Sequence, residues 1–525
     1  MCATAARAQE RPDEDAIFGG GSDTTTATAT TTATATATST ATVTTPPTDT
    51  TSSTATDTST ATQTGSDTRR DLLNLGSPDA AVRFSAELAP EDPLTMGGQF
   101  YWRAMSTGRQ GQYPQDWTLS TPALLDVYLD ARPNERVRAF VLGRMSYDPT
   151  QPPSGSETSS LAGASGGAPH AGDSVSGLYG QRPRGPSVAL DQLWLRFDVL
   201  RRVFVTAGKQ HARWGTARFW TPTDYMHMEA RNPLLPFDPR TGTTMLKLHA
   251  PWEEKGWNFY AYALPESGTS ATPSPADVAG ALRSEIVLGS MELGAGVFGR
   301  RKSKARFAAD ISFGVWDLDF YGEAAVRNAG DIDFVHYEGA PAECAEPTGG
   351  SADDLTQYYT VARGSGWKAQ ATGGVSYTRK YADKDIFLVG AEYFYNGLGY
   401  SSAKDYLGLF ALSQTMANPA TYFYLGRQYL GVFVSAPAPY SWDLHTFTLS
   451  SLANLTDQSG ITRFDYSYTL LTHIRFEAYA AVHWGQRNGE FRLGFDSASL
   501  PCPPPVPIRW EPSILDVGLG LRVAM

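Results

Sequence analysis

The C-terminal stretch "SILDVGLGLRVAM" (residues 513–525) alternates between apolar side chains and polar or absent ones. The apolar set is Val517, Leu519, Leu521, Val523 and Met525, and the residues between them are Asp516, Gly518, Gly520 and Arg522. Successive side chains of a β-strand point to opposite faces, so a period of two predicts a strand with one apolar face and one polar face.

The same alternation recurs from residue 97 onward in short runs separated by turn residues. It predicts 18 strands, and the connectors between them alternate between short and long, which is typical of outer-membrane β-barrels with short periplasmic turns and long outer loops. If the turns at 289–290 and near Ser303 are absent, the count is 16. The predicted strands are 97–106, 121–131, 135–147, 188–199, 202–209, 242–250, 256–264, 281–288, 291–301, 304–315, 319–328, 366–380, 385–396, 425–435, 441–453, 460–470, 473–485 and 513–525.

Charged residues in mid-strand distinguish a barrel with a wet interior from a soluble sandwich. A closed transmembrane antiparallel barrel places such charges in its lumen, turns the apolar face to lipid and leaves no unpaired strand edge. No run of 18 apolar residues predicts a transmembrane helix. The predicted lumen charges are Arg136, Arg138, Arg144, Arg196, Lys247, Arg306, Glu323, Lys368, Arg463 and Arg475.

The N-terminal part differs in composition from the rest. "ATAARAQE" (residues 3–10) has the small-x-small pattern of a signal-peptide cleavage site, so residues 1–8 are predicted to be a signal remnant. Residues 9–96 are predicted to be a disordered, Thr/Ala-rich periplasmic tether and linker, because they offer few large apolar side chains to bury. The barrel is predicted at 97–525, in the outer membrane of a Gram-negative bacterium. Its expected partners are outer-membrane lipid, lipopolysaccharide and the barrel-assembly machinery.

The connector at 210–241, between the fifth and sixth predicted strands, begins with "GKQHARWGTARFWTPTD" (residues 208–224). It is too long for a hairpin and too rich in aromatic and apolar residues to lie in water, so we predict that it folds into the barrel and narrows the pore. Cations outnumber carboxylates here, which favours anionic or sugar-like solutes, and Trp214, Phe219 and Trp220 are candidates for stacking on sugar rings. Alternatively, Arg–Asp pairs lock the segment as a plug. The predicted solute-facing residues are Lys209, Gln210, His211, Arg213, Trp214, Arg218, Asp224, Arg231, Asn232, Asp238 and Arg240.

Signals for other chemistry are weak. Asp224, His227 and Glu229 lie close together but no metal-binding motif accompanies them, so neither a metal nor another cofactor is expected. His445 or His483 with Ser450 or Ser467 lacks a nucleophile motif, and the protein is not predicted to be an enzyme. The net charge of −11 and the lack of a basic patch argue against nucleic-acid binding. Cys344 and Cys502 both fall in predicted loops, and the sequence leaves open whether they pair.

One segment resembles a known group of proteins. "VTAGKQHARWGTARFWTPTDYMHMEARNPLLPFD" (residues 205–238) resembles proteobacterial porin-like barrels, in which a strand ends in Gly-(Lys/Arg)-Gln and is followed by Trp-Gly and Asn-Pro. The Gly-Lys-Gln sequence also resembles a sequence found in alginate-export-type channels, which are 18-stranded barrels that pass an acidic polysaccharide. The matching positions are Gly208, Lys209, Gln210, Trp214, Gly215, Asn232 and Pro233.

Pattern and resemblance together predict an outer-membrane channel for small hydrophilic solutes, anionic or sugar-like, narrowed at 210–241. One alternative is an exporter of a polysaccharide. Another is a structural or adhesive barrel whose loops at 148–187 and 329–365 bind surface partners. The sequence identifies neither the solute and its direction nor the oligomeric state.

Overall fold

The computed structural model describes the barrel and most of its loops. The predicted signal remnant and nearly all of the predicted tether lie outside the described residues. Those residues are 93–525 without 151–185, 228–229, 236–239, 266–274, 302, 340, 342–343, 345–356, 382–385, 413–420, 497, 499–500 and 503–508.

Eighteen antiparallel strands, each paired with its neighbours along the chain, form a barrel that closes where β1 pairs with β18, from Gln99 opposite Ala524 to Arg109 opposite Ser513. One more short strand, Thr118–Ser120, joins the same sheet beside β1. The barrel strands are β1 (Leu94–Arg109), β2 (Ala123–Asn134), β3 (Val137–Tyr147), β4 (Ser187–Val199), β5 (Val203–Gln210), β6 (Thr243–Trp252), β7 (Trp257–Leu264), β8 (Ala279–Leu288), β9 (Met291–Gly299), β10 (Arg306–Val315), β11 (Leu318–Asn328), β12 (Trp367–Lys380), β13 (Ile386–Asn396), β14 (Gln428–Pro437), β15 (His445–Asn454), β16 (Ser459–Leu470), β17 (Ile474–Gly485) and β18 (Ser513–Ala524).

The predicted count of 18 strands is confirmed, and the alternative of 16 is wrong because turns separate both β8 from β9 and β9 from β10. Most strand bounds agree within a few residues. The barrel begins at Leu94 instead of residue 97. β15 begins at His445 instead of residue 441, because the preceding turn contains Ala438 and Tyr440 with positive φ, which interrupts extended backbone.

Side-chain character alternates across the wall as the sequence predicts. In β18, Asp516 and Arg522 are buried on the inward face, whereas Leu519 on the outward face is 64% exposed. An apolar belt of this extent is typical of a lipid-facing surface, and the fold is that of a transmembrane β-barrel. Other exposed apolar residues of the wall are Val127, Leu129, Leu193, Leu195, Leu246, Leu282, Phe307, Val432, Leu449, Phe464 and Phe476.

Strand register places the predicted lumen charges of the strands on the inward face, where several form cross-strand ion pairs. Arg144 contacts Asp126 at 2.8 Å and Asp191 at 3.2 Å, and Arg138 contacts Asp130 at 2.8 Å. Arg136 lies in the β2–β3 turn and pairs with Asp198 at 2.9 Å. The other predicted lumen charges also lie in register with inward-facing neighbours. They are Arg196, Lys247, Arg306, Glu323, Lys368, Arg463 and Arg475. Whether any of these residues meets a solute stays a prediction.

The long loops, at the end of the barrel opposite the short turns, contain short strands and a short helix. A hairpin of Asp333–Tyr337 with Tyr359–Arg363 follows β11, helix α1 (Tyr406–Ala411) follows β13, and Phe495–Asp496 pairs with Arg509–Trp510. A disulfide between Cys344 and Cys502 joins the loop after β11 to the loop after β17, so the two cysteines pair. None of the helices in the described part of the chain is long and apolar enough to cross a membrane. Single 3₁₀ turns lie at Pro114–Asp116, Pro275–Asp277, Ala329–Asp331, Ala403–Asp405 and Glu490–Arg492.

Candidate functional site: the constriction of the lumen

The segment between β5 and β6, residues 211–242, lies inside the barrel, and we call it the inward segment. It leaves the wall at β5 and reaches β13 and β14, which lie on nearly the opposite side of the 18-stranded barrel. Phe219 packs edge-on against Phe433 with ring centroids 5.8 Å apart, and Trp220 stacks on Phe394 at 5.6 Å. The inward segment therefore crosses the lumen and narrows it.

Two buried glutamates of the far wall hold the inward segment. Glu392 of β13 accepts hydrogen bonds from the backbone N–H groups of Arg218, Phe219 and Trp220 at 2.9, 3.1 and 2.8 Å. Glu323 of β11 accepts from the Ala217 N–H at 2.6 Å. Buried backbone N–H groups outside regular structure need acceptors, and a buried carboxylate needs donors. Each group thus satisfies the other.

Glycines allow the inward segment and the wall to approach each other. Gly215 has a φ of +99°, and a Cβ there would overlap the Glu323 carboxylate. Gly296 of β9 lies under the indole of Trp214, which is fully buried. The Trp-Gly pair of the sequence motif therefore packs the segment against the wall, because no larger residue than glycine fits beside Glu323.

On the near wall, two histidines join the inward segment to β4. His211 Nε2 lies 3.2 Å from Asp191 Oδ1, and His211 Nδ1 lies 3.4 Å from His227 Nε2. His227 Nδ1 lies 3.0 Å from Asp224 Oδ2, which also accepts from Arg240 Nη1 at 3.2 Å. Burial opposes ionisation of Asp224, but His227 and Arg240 lower the pKa of its carboxyl to about 2.

A cavity of about 130 Å³ lies between the inward segment and the wall at β1 and β15–β18. Arginines from the segment and the wall surround it, accompanied by two carboxylates. Of these carboxylates, Asp465 pairs with Arg463 at 2.6 Å and Glu477 pairs with Arg522 at 3.1 Å. The lining arginines are Arg103, Arg213, Arg218, Arg231 and Arg475.

Aromatic rings orient several of the guanidinium groups around this cavity. Arg103 and Arg463 lie over the ring of Tyr479, at 4.4 and 4.1 Å from its centroid, and Arg218 lies 3.9 Å from the centroid of Phe433. Such stacking fixes the plane of an arginine while its N–H groups remain directed sideways. The Nη1 atom of Arg475 is buried and has no hydrogen-bond partner among the described residues.

Three of the predicted solute-facing residues, Arg213, Arg218 and Arg231, line the cavity. Asp224 and Arg240 instead bind each other, as the plug alternative predicts. His211 lies in the histidine contact on the near wall. Asp238 lies outside the described residues. Whether the cavity residues bind a solute stays a prediction.

Other predicted solute-facing residues face elsewhere. Lys209 pairs in register with Leu193 on the outward face, so the prediction that it faces the pore is wrong. Gln210 donates to the carbonyl oxygens of Thr206 and Met245, and Asn232 accepts from the Leu234 N–H within a local turn. The side-chain amides of Gln210 and Asn232 are therefore occupied by hydrogen bonds to backbone groups.

Tryptophan stacking on sugar rings is also a wrong prediction. Trp214 and Trp220 are fully buried, and Phe219 is 3% exposed. All three side chains pack between the inward segment and the wall. They therefore anchor the segment, and the ring faces of the two tryptophans are covered, whereas Phe219 also borders the cavity.

Sequence reasoning missed Glu392, Arg103 and Tyr479. A signal for the first existed, because β13 carries apolar residues such as Leu388 and Phe394 on its inward face as well as apolar residues on its outward face. A strand that is apolar on both faces must be covered on both faces. That pattern, interrupted by one glutamate, indicates a packed element inside the barrel.

The candidate catalytic histidines form structural contacts in the protein. His483 lies 2.7 Å from both Asp516 Oδ2 and the Phe491 carbonyl oxygen, and His445 lies 2.8 Å from the Tyr466 hydroxyl. Within the described ranges, no three His, Cys, Asp or Glu side chains are grouped to bind a metal. Glu229, from the conceivable metal set, lies outside those ranges.

No family model matches the chain, and no curated protein matches it. Among solved structures, OccAB1 of Acinetobacter baumannii aligns with 11% identity and a TM-score of 0.44, over 82% of this chain and 96% of that chain. Substituted forms of the porin of Rhodopseudomonas blastica align with 8% identity and a TM-score of 0.37, over 82% and 100%. The porin-like barrel fold rests on the strand pairing given above.

Proposed function

We propose that the protein is an outer-membrane channel for small anionic solutes, with the inward segment setting the width of its pore. The observation that carries this proposal is the arginine-lined cavity inside a closed barrel. A Gram-negative outer membrane is the expected location, because that membrane holds barrels with an apolar belt and a polar lumen.

The charges around the cavity favour anions. Five arginines line it, whereas its two carboxylates already pair with Arg463 and Arg522. The buried Nη1 of Arg475 offers a donor to a ligand oxygen. Guanidinium groups bind carboxylate, phosphate or sulfate through paired N–H donors, and a ring of such groups selects by charge and diameter.

Small solutes fit this arrangement better than a sugar polymer does. The two tryptophan rings that would stack on sugars are covered, and the inward segment is bonded to both walls of the lumen. A polymer would have to displace those contacts. Export of a polysaccharide is therefore not the function that the geometry favours.

Ion selectivity in planar bilayers tests the proposal. We expect the wild-type protein to pass chloride several-fold better than potassium, measured as the reversal potential across a salt gradient. Replacing both Arg218 and Arg475 by Gln should bring that ratio close to one, because two of the five lining charges are lost. The matched control is Arg201→Gln, in the turn between β4 and β5, which should leave the ratio unchanged.

Two results would contradict the proposal. Cation selectivity in the wild-type protein would refute the anion path. No conductance at all, in a preparation that shows the heat-modifiable gel migration of a folded barrel, would favour a plugged structural barrel.

A further inference from the structure

The contact between His211 and His227 has an unusual donor–acceptor arrangement. Each imidazole places one nitrogen against a carboxylate: His211 Nε2 lies against Asp191, and His227 Nδ1 lies against Asp224. The other nitrogen of each ring faces its counterpart, with His211 Nδ1 3.4 Å from His227 Nε2. The two side chains are 13% and 3% exposed.

Hydrogen-bond chemistry fixes where the protons lie. An ionised carboxylate only accepts, so Asp191 and Asp224 each require a proton on the nitrogen that faces them. In two neutral rings, that leaves lone pairs on both His211 Nδ1 and His227 Nε2, directed at each other. Two lone pairs at this distance repel, whereas one additional proton between them makes an N–H···N hydrogen bond. The contact between the two rings is therefore favourable when they share one additional proton and together carry one positive charge.

The charged groups around the two histidines favour a single positive charge on the pair. Asp191 is held by the Gly242 N–H at 3.0 Å and by Arg144, so it stays beside His211. A second proton on the pair would place two imidazolium groups in contact. Among the described residues, the charged groups around the pair include Asp126 on β2, Arg144 on β3, Asp191 on β4, and Asp224, Arg213 and Arg240 on the inward segment.

The pair also has a mechanical position. His211 directly follows β5, and Asp191 belongs to β4, so both are fixed to the wall. His227 lies sixteen residues further along the inward segment, and the carbonyl oxygen of the preceding Met226 accepts from Thr243 Oγ1 of β6 at 2.9 Å. The contact between the rings thus adds a tie between this part of the segment and β4, opposite the glutamates that hold the other side.

We propose that the His211–His227 pair is a proton-operated latch of the inward segment. With one shared proton the latch is closed and the pore is narrow. In acid, a second proton drives the rings apart by charge repulsion, the part of the segment around His227 loses its hold on β4, and the pore widens. The proposal rests on the inward segment setting pore width, and it is independent of which ion passes.

Single-channel conductance at different pH tests the latch. We expect wild-type conductance to rise roughly twofold or more between about pH 7.5 and about pH 5, the range in which histidine changes charge. His227→Gln should abolish the rise, because an amide donates to His211 without titrating. The matched control is His249→Gln, a buried histidine of β6 that bonds to Asn258 at 2.8 Å outside the inward segment, and it should keep the rise.

A second measurement separates the latch from the channel proposal. Nitrogen-15 spectra of histidine-labelled protein in detergent should show one shared proton between the rings near neutral pH, whether or not the protein conducts. Spectra with two neutral rings would overturn the latch. So would conductance that is flat with pH in the wild-type protein, or a full acid response in folded His227→Gln and His211→Gln. A response to added Zn²⁺ at constant pH, with none to pH, would also overturn it, because a metal ion would then bridge the rings.

Discussion

The wall of the barrel and its inward segment are held by different kinds of interaction. In the wall, each strand bonds to its neighbours over seven or more residues, and side chains alternate between lipid and lumen. In the inward segment, a few backbone N–H groups reach single carboxylates that are 100 to 174 residues away in sequence. The wall is therefore fixed by a repeated local rule, and the segment by a few particular long-range contacts.

This difference predicts different sensitivity to substitution. Any one side chain contributes modestly to the wall unless it reverses the character of a face. A single wall carboxylate, in contrast, satisfies three buried N–H groups of the segment at once. Changes in the wall should therefore affect assembly, and changes at the anchors should affect the pore while the barrel remains intact.

The largest effect is expected for a charge on the lipid face. Leu195→Arg, on the outward face of β4, should impair membrane assembly, because arginine on the lipid face of a barrel costs up to about 4 kcal/mol, with the largest cost near the bilayer midplane. Heat-modifiable gel migration after folding into liposomes measures this effect. The control is Thr448→Arg, on the lumen face opposite Asp465, which should assemble normally. Equal assembly of both variants would show that the outward face does not meet lipid.

A smaller effect, on the pore alone, is expected at the main anchor. Glu392→Ala leaves three buried N–H groups without their acceptor, each at a cost of about 1–3 kcal/mol, so the inward segment should detach from the far wall. Single-channel conductance should rise severalfold in a barrel that still assembles. Asp130→Ala is the control, since Asp130 is a buried wall carboxylate that pairs with Arg138. Unchanged conductance in Glu392→Ala would mean that this contact does not set the pore width.

The smallest effect is expected at a buried glutamate of the loop after β17, where Glu490 accepts from the Tyr429 hydroxyl at 2.7 Å and the Asn454 amide at 2.9 Å. Burial, with a contribution from the charge of Asp457, raises the pKa of Glu490 from 4.5 to about 8. Between those pH values the folded state binds more protons than the unfolded state, so the free energy of unfolding should fall as pH rises.

Thermal unfolding in detergent at about pH 5 and about pH 8 measures that slope. Glu490→Gln keeps a neutral amide at the site at every pH, so it should flatten the slope and be more stable than the wild-type protein at the higher pH. Glu511→Gln, in the same loop and partly exposed, is the control that should retain the wild-type slope. An unaltered slope in Glu490→Gln would place the titration elsewhere.

The sequence predicted the strands well because alternation is local. β18 shows this best: its apolar and polar positions were assigned from residues 513–525 alone, and the structure places them on the two faces as predicted. Prediction of individual side chains in the connector was poorer. Tryptophans such as Trp214 and Trp220 are typical of a binding surface, but here both side chains are buried between the inward segment and the wall.

The sequence by itself predicted the closed barrel, 18 strands with 16 as the alternative, and the inward course of the segment at 210–241, because periodicity, turn spacing and an apolar connector are local properties. Only the tertiary structure decided which carboxylates hold that segment, which arginines surround the cavity and that His211 faces His227. Those pairings join residues from distant strands, and their partners are chosen by register, barrel closure and the free energy of satisfying buried polar groups. No spacing along the chain encodes that choice.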